Sequence, residues 1–157
     1  MPHDTADEIA RVFTTHIPEI ADGIVEIKAI ARKPGDRTKV ALVSHDPKID
    51  CVGVCVGERG CLIMGIVEHF DGERFDLVRW NDSLEKLIPS ALQPAEILDV
   101  VVSPAQHRVT VVVEEDQVSV ALGRRGLNRE LASNLCACEI DIVTRAELDR
   151  DDGGPGA

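Results

Sequence analysis

Four residues, Gly57-Glu58-Arg59-Gly60, return 66 positions later as Gly123-Arg124-Arg125-Gly126, and their surroundings return with them. The same offset pairs Asp50 with Asp116, Val52 with Val118, Val54 with Val120 and Val56 with Leu122. Further on, Phe75-Asp76-Leu77-Val78 answers Ile140-Asp141-Ile142-Val143 at an offset of 65. A repeat of this length spans a whole structural unit, so the chain of 157 residues is read as two sister domains with small cores. Residues 1–80, with a short N-terminal helix, form the first and residues 81–145 the second; the acidic tail 146–157 has little to bury and is expected to be disordered.

Each glycine pair has the makings of an anion cradle. Glycine reaches φ > 0 and lets a ligand approach the main chain, and a helix starting beside the second glycine aims unpaired N–H groups outward. Gly57, Glu58, Arg59 and Gly60 make the first candidate site, and Gly123, Arg124, Arg125 and Gly126 the second. Arg124 and Arg125 favour phosphate, whereas Glu58 opposes Arg59, so the second cradle is expected to grip harder. Asn128, in the first turn of the following helix, is a further candidate for a sugar or base contact, with a polar helix-start residue as the alternative.

Around the cradles the pattern is regular. Asp7 to Phe13 suggests a short helix, Ile17 to Ile20 an extended lead-in, and Ile24–Arg32 with Thr38–Ser44 a hairpin. Arg32, Lys33, Arg37 and Lys39 crowd its tip and are read as a solvated, charged turn. Asp50 is placed to cap a helix over Cys51–Val56; after the cradle, Leu62, Ile63, Ile66, Val67 and Phe70 line one helical face, and Phe75–Val78 is a strand. The order then recurs: a helix over Ser83–Leu92 disturbed by Pro89, strands at Ile97–Val102 and Arg108–Glu114, a short helix capped by Asp116, a helix carrying Leu127, Leu131 and Leu135, and a strand at Glu139–Thr144.

Composition narrows the function. The net charge of −11 is unusual for a nucleic-acid binder, but each end of the chain contributes −3 while the stretch from Gly123 to Arg129 is locally +3. Three Phe, one Trp and no Tyr leave little for an aromatic stacking platform. The five cysteines contain no C-x-x-C pair and follow the apolar pattern, so neither a metal nor a disulfide framework is expected. There is no P-loop, G-x-G-x-x-G, H-E-x-x-H or nucleophile elbow, which argues against an enzyme and leaves no cofactor to place. With no long apolar run and a polar start, a cytoplasmic monomer without membrane contact is expected.

A helix, a hairpin, two helices joined through G-x-x-G and a closing strand resemble the KH domain in its prokaryotic, helix-first form. The fold class is therefore α+β, two tandem type II KH domains, each a three-stranded sheet covered by helices on one face. The stretches Pro18 to Ile27, Pro34 to Lys39, Val52 to Gly60 and Asp116 to Asn128 look like the paired KH region of the NusA family of transcription factors. That resemblance, over about residues 12–144, implies single-stranded RNA as partner and a role in elongation, pausing, termination or antitermination.

Two departures from the family pattern stand out: the acid Glu58 inside the first cradle, and Leu127 at a position more often polar. The polymerase-binding and OB-fold domains that precede the KH pair in the bacterial form have no room before Phe13, so the match is to the paired region, as a stand-alone double-KH form or a fragment. Polymerase binding is accordingly not carried over with the resemblance, and RNA polymerase stays an open partner. The competing class is a double-KH scaffold that docks on polymerase or another protein and has little affinity for RNA.

Overall fold

A computed structural model describes residues 5–152 and divides the chain into two compact units at Asn81/Asp82. The first runs α1 (Thr5–His16), α2 (Pro18–Ala21), β1 (Val25–Lys33), β2 (Arg37–Ser44), α3 (Cys51–Val56), α4 (Cys61–His69) and β3 (Arg74–Arg79). The second runs α5 (Leu84–Ala91), β4 (Asp99–Ser103), β5 (Arg108–Val113), α6 (Val118–Leu122), α7 (Leu127–Cys136), β6 (Glu139–Thr144) and α8 (Arg145–Asp152). Each has a three-stranded sheet whose middle strand pairs antiparallel with the first and parallel with the last: β1-β2-β3 and β4-β5-β6.

In the first unit Val40 and Leu42 of β2, Val25 of β1 and Leu77 of β3 meet Ile9 and Phe13 of α1, Cys55 of α3 and Ile66 of α4. Phe75 sits between Phe13 and Phe70, with ring centroids 5.9 and 5.4 Å away. The second unit buries the corresponding strand residues Val109, Val111 and Val113 with Leu87 and Ile88 of α5 and Leu131 and Leu135 of α7. In each unit the leading helix lies against the helix that follows the cradle, α1 on α4 and α5 on α7. Apolar stripes at three- and four-residue spacing thus hold the cradle helices on their sheets. Among the described residues no helix is long and apolar enough to cross a membrane.

Several local expectations need correction. Helix α1 continues past Phe13 to His16, and there the Thr14 and Thr15 hydroxyls donate back to the Ala10 and Arg11 carbonyls at 2.7 and 2.9 Å rather than to non-helical backbone. Pro18 opens the short helix α2 where an extended lead-in was expected, its fixed φ suiting a first helical position. Asp116 does not cap α6; it lies in a 3-10 turn over Glu115–Gln117, and the Gln117 side chain instead accepts from the Glu96 amide at 2.8 Å. The first part of the tail read as disordered is helix α8. Thr144 Oγ1 accepts from the Glu147 amide, an N-cap bond at the helix start, and donates to the Glu147 carboxylate, both at 3.1 Å. Residues 153–157 of that tail lie outside the described residues.

The basic hairpin tip is the largest correction. Only Lys33 of the four is exposed; the side chains of Arg32, Arg37 and Lys39 are 9 %, 8 % and 0 % exposed. Arg32 grips Glu73 through two bonds of 3.0 and 2.9 Å, and that carboxylate also accepts from the Gly35 amide at 2.8 Å and from Thr38 Oγ1. Asp76 accepts from Arg37 Nε at 2.7 Å and from Lys39 Nζ at 2.8 Å. Burial would raise both carboxyls, but Arg32 and its neighbours hold Glu73, and Lys39 and Arg37 hold Asp76, below the usual range. Burial outweighs Asp76 at Lys39 and lowers its ammonium to about 8.

Because the two carboxyls titrate lower folded than unfolded, the stability they confer is complete above the unfolded values, about 4, and is lost as pH falls through the folded ones. Urea melts between pH 7 and 3 should show stability dropping below about pH 4, more shallowly in Asp76→Asn. At pH 7 that substitution should lower stability by about 3–5 kcal/mol, since it leaves Arg37 and Lys39 buried against a neutral amide.

Candidate nucleic-acid interface

Both cradles are the same piece of backbone built twice. Gly57 has φ 78°, ψ 174° and Gly123 φ 74°, ψ 176°; Arg59 has φ 56°, ψ 24° and Arg125 φ 58°, ψ 25°. Gly60 and Gly126 close them in the left-handed region at φ 77° and 73°. The amide of each first glycine donates to the carbonyl four residues back, Gly53 at 3.1 Å or Ser119 at 2.9 Å, ending the short helix; the second glycine's amide donates to the first one's carbonyl at 3.1 Å. A φ near +75° with ψ near 175° is a region only glycine occupies readily, and an arginine held left-handed is strained by roughly 1–2 kcal/mol.

What lies beneath the first glycine differs between the cradles. A Cβ on Gly57 would meet Leu62 Cγ at 2.7 Å, and one on Gly123 would meet Asn128 Cβ at 2.6 Å and the Asn128 amide nitrogen at 2.8 Å. At Gly126 nothing lies within 4 Å of such an atom, and at Gly60 only Met64 Sδ does, at 3.9 Å. Leu62 and Asn128 occupy matching positions at the 66-residue offset, and they are the packing partners that make the first glycine obligatory.

Asn128 therefore does not stand as a sugar or base contact. It is 0 % exposed, and its amide group donates to the carbonyls of Leu92 and Ala121, each at 3.0 Å, tying the end of α5 to the end of α6. The Leu92 carbonyl also accepts from the Ala95 amide at 3.1 Å, so this buried side-chain donor ties helix ends together rather than reaching a ligand. Arg129 is likewise occupied: its Nη1 donates to the Ile140 carbonyl at 3.1 Å. The charge offered by the second cradle is thus carried by Arg124 and Arg125.

Glu58, Arg59, Arg124 and Arg125 are exposed, and none of them hydrogen-bonds or ion-pairs through its side chain with another described residue. The helices the cradles lead into start without a side-chain cap, at Gly60 for α4 and Gly126 for α7. Helix α3, by contrast, is capped by Asp50, which accepts from the Val52 and Gly53 amides at 3.4 and 3.3 Å and is held by Arg79 at 2.9 Å. Arg79 keeps the Asp50 carboxyl below its usual range. Free guanidinium groups and left-handed turns thus coincide at each G-x-x-G beside a helix start that has no side-chain cap, an arrangement able to hold an anion without chemistry upon it.

Other sequence candidates stay structural. Cys51 donates to the Leu42 carbonyl at 3.4 Å, and burial pushes the Cys55 thiol up to about 12. Among the described residues no cluster of three or more histidine, cysteine, aspartate or glutamate side chains is arranged to hold a metal ion.

Two helix-first α+β units with a mixed three-stranded sheet, each presenting a G-x-x-G turn between its paired helices, define a tandem type II KH protein. Residues 3–80 match the NusA-like first KH domain and residues 84–150 the NusA-like second KH domain, and the chain belongs to that family. It is similar to the transcription termination/antitermination protein NusA of Bacillus subtilis (strain 168), with 40% identity over 139 residues, 88% of this chain and 38% of that protein. The NusA of Rickettsia conorii is 39% identical over 142 residues, 88% of this chain and 28% of that protein. The chain thus spans less than two fifths of the length of either relative. The fold is also similar to that in the crystal structure of APE1850, with a TM-score of 0.61 at 21% identity over 88% of this chain and 96% of that one.

The geometry separates the two glycines of a cradle. Gly123→Ala should destabilise the second unit by more than about 2 kcal/mol, because Asn128 and the α7 backbone must move, whereas Gly126→Ala should lose only about 1–2 kcal/mol from its left-handed φ. Asn128→Ala should lower stability by about 1–3 kcal/mol by removing the buried side-chain bonds to the Leu92 and Ala121 carbonyls. Urea unfolding of the three variants checks the ranking.

Proposed function

We propose that this protein binds single-stranded RNA through both G-x-x-G cradles and contacts nascent transcript, so modulating elongation, pausing, termination or antitermination. The observation that carries the reading is Arg124 and Arg125, exposed and unpartnered on a left-handed loop that opens into an uncapped helix. A loop of this kind clamps a nucleic-acid backbone: loop amides and guanidinium groups meet phosphates while bases extend over the neighbouring helices. Two such loops on one chain raise the effective concentration of each for a strand already held by the other. No covalent step is involved, and the protein acts as a cytoplasmic monomer. Contact with RNA polymerase is part of the proposed setting, since the relatives are named for transcription termination and antitermination.

Fluorescence anisotropy with labelled single-stranded RNA, at two salt concentrations, tests the reading. The wild type should bind, with affinity falling steeply as salt rises, and Arg124→Asp/Arg125→Asp should bind at least tenfold more weakly while keeping its circular dichroism. Absence of binding by the wild type would favour instead a double-KH scaffold that docks on polymerase or another protein, the reading its net charge of −11 would suit, and equal binding by both proteins would overturn the second cradle as the RNA site.

A further inference from the structure

We propose that the first cradle reads a nucleobase: Glu58 accepts a hydrogen bond from a base amino group, and the Met64 thioether forms the apolar seat on which that base rests. This rests on the reading of the chain as a single-stranded RNA binder and assigns its two cradles different tasks.

The case starts from identical backbone carrying opposite chemistry. In the second cradle the loop presents Arg124 and Arg125, and the exposed helix position four residues past the closing glycine is Glu130. In the first the loop presents Glu58 beside Arg59, and the matching helix position is Met64. Acid and non-acid have changed places between loop and helix. Because φ and ψ of the flanking residues agree within a few degrees, the difference lies in the side chains, not in the shape of the turn.

Met64 is 65% exposed, ahead of Val101 at 45% and Leu98 at 42% among the exposed large apolar residues. Its Sδ stands 3.9 Å from where a Cβ on Gly60 would be, so the thioether borders the open side of the cradle's closing glycine. A polarizable sulfur beside a backbone clamp suits the face of an aromatic ring. In the second cradle the corresponding space beside Gly126 is empty to 4 Å.

Glu58 and Arg59 form no ion pair with each other or with any other described residue, so the carboxylate is not spent on neutralising its neighbour. An ionised carboxylate only accepts hydrogen bonds. Facing a phosphate it repels; facing an N–H donor it makes a charge-assisted bond, as acidic side chains do with the cytosine amino group. Adenine, cytosine and guanine carry an exocyclic amino group and uracil carries none. Arg59, left-handed like Arg125, remains for the phosphate. The first cradle therefore discriminates where the second only holds.

The test uses the full chain and labelled 12-nucleotide strands of oligo(rA), oligo(rC) and oligo(rU), titrated with the wild type, Glu58→Ala and Met64→Ala. Both residues are exposed, and circular dichroism confirms that the variants fold. The wild type should bind oligo(rA) or oligo(rC) about fivefold or more tightly than oligo(rU), and Glu58→Ala should shrink that ratio to below about twofold. Met64→Ala should weaken the preferred strand about threefold at both low and high salt, since an apolar contact does not release counterions. The proposal is overturned if the wild type shows no preference, if the preference survives Glu58→Ala, or if Glu58→Ala strengthens all three strands equally, which is the signature of simple phosphate repulsion. Failure of every strand to bind the wild type would instead strike the RNA-binding reading itself.

Discussion

Beneath Gly123 there is room for a hydrogen atom and nothing larger, because Asn128 packs against it from the first turn of α7; Leu62 does the same beneath Gly57. This close approach lets the short helix end and the next begin within four residues, and it fixes the loop in a shape that only glycine supports. The exposure of Arg124 and Arg125, the open starts of α4 and α7 and the match between the two units follow from it. A substitution at that point would disturb the turn and the register of the following helix together, and with it the face that packs on the sheet.

The two units answer the same problem with different materials. In the first, buried charge stiffens the corner where β2 meets β3, with Asp76 accepting from both Arg37 and Lys39. In the second, strand pairing puts Thr110 opposite Asp141, where the first puts Lys39 opposite Asp76, and Arg108 reaches an Asp141 that is 45% exposed at 3.3 Å. Beneath the cradles the exchange runs the other way: Leu62 is apolar, while Asn128 is a buried amide tied to two carbonyls. Sister domains thus keep a backbone and redistribute polarity around it.

Much of this was legible from residues alone, since the 66-residue offset, the glycine pairs and the apolar stripes act locally or recur visibly. The helix Cys51–Val56 with its Asp50 cap and the strand Glu139–Thr144 lie where the pattern put them. The hairpin tip was misread because the partners of Arg32 and Lys39, Glu73 and Asp76, stand 41 and 37 residues away, and a charged turn with unseen partners looks solvated. Asn128 looked available because first-turn asparagines are usually exposed; burial there comes from α5, across 36 residues. The start of helix α8 is different, since Thr144-Arg145-Ala146-Glu147 has the Thr-x-x-Glu spacing of a helix start, a local signal that needs no buried face.

The central claim is that the two G-x-x-G turns are where nucleic acid meets this protein. Titrating unlabelled single-stranded RNA into the isotopically labelled chain and following the backbone amide resonances tests it most directly. The account predicts the largest shifts at residues 57–63 and 123–127, with the outer strands β1 and β4 little changed. Shifts concentrated on those strands or on α8, with the glycine amides unmoved, would contradict it.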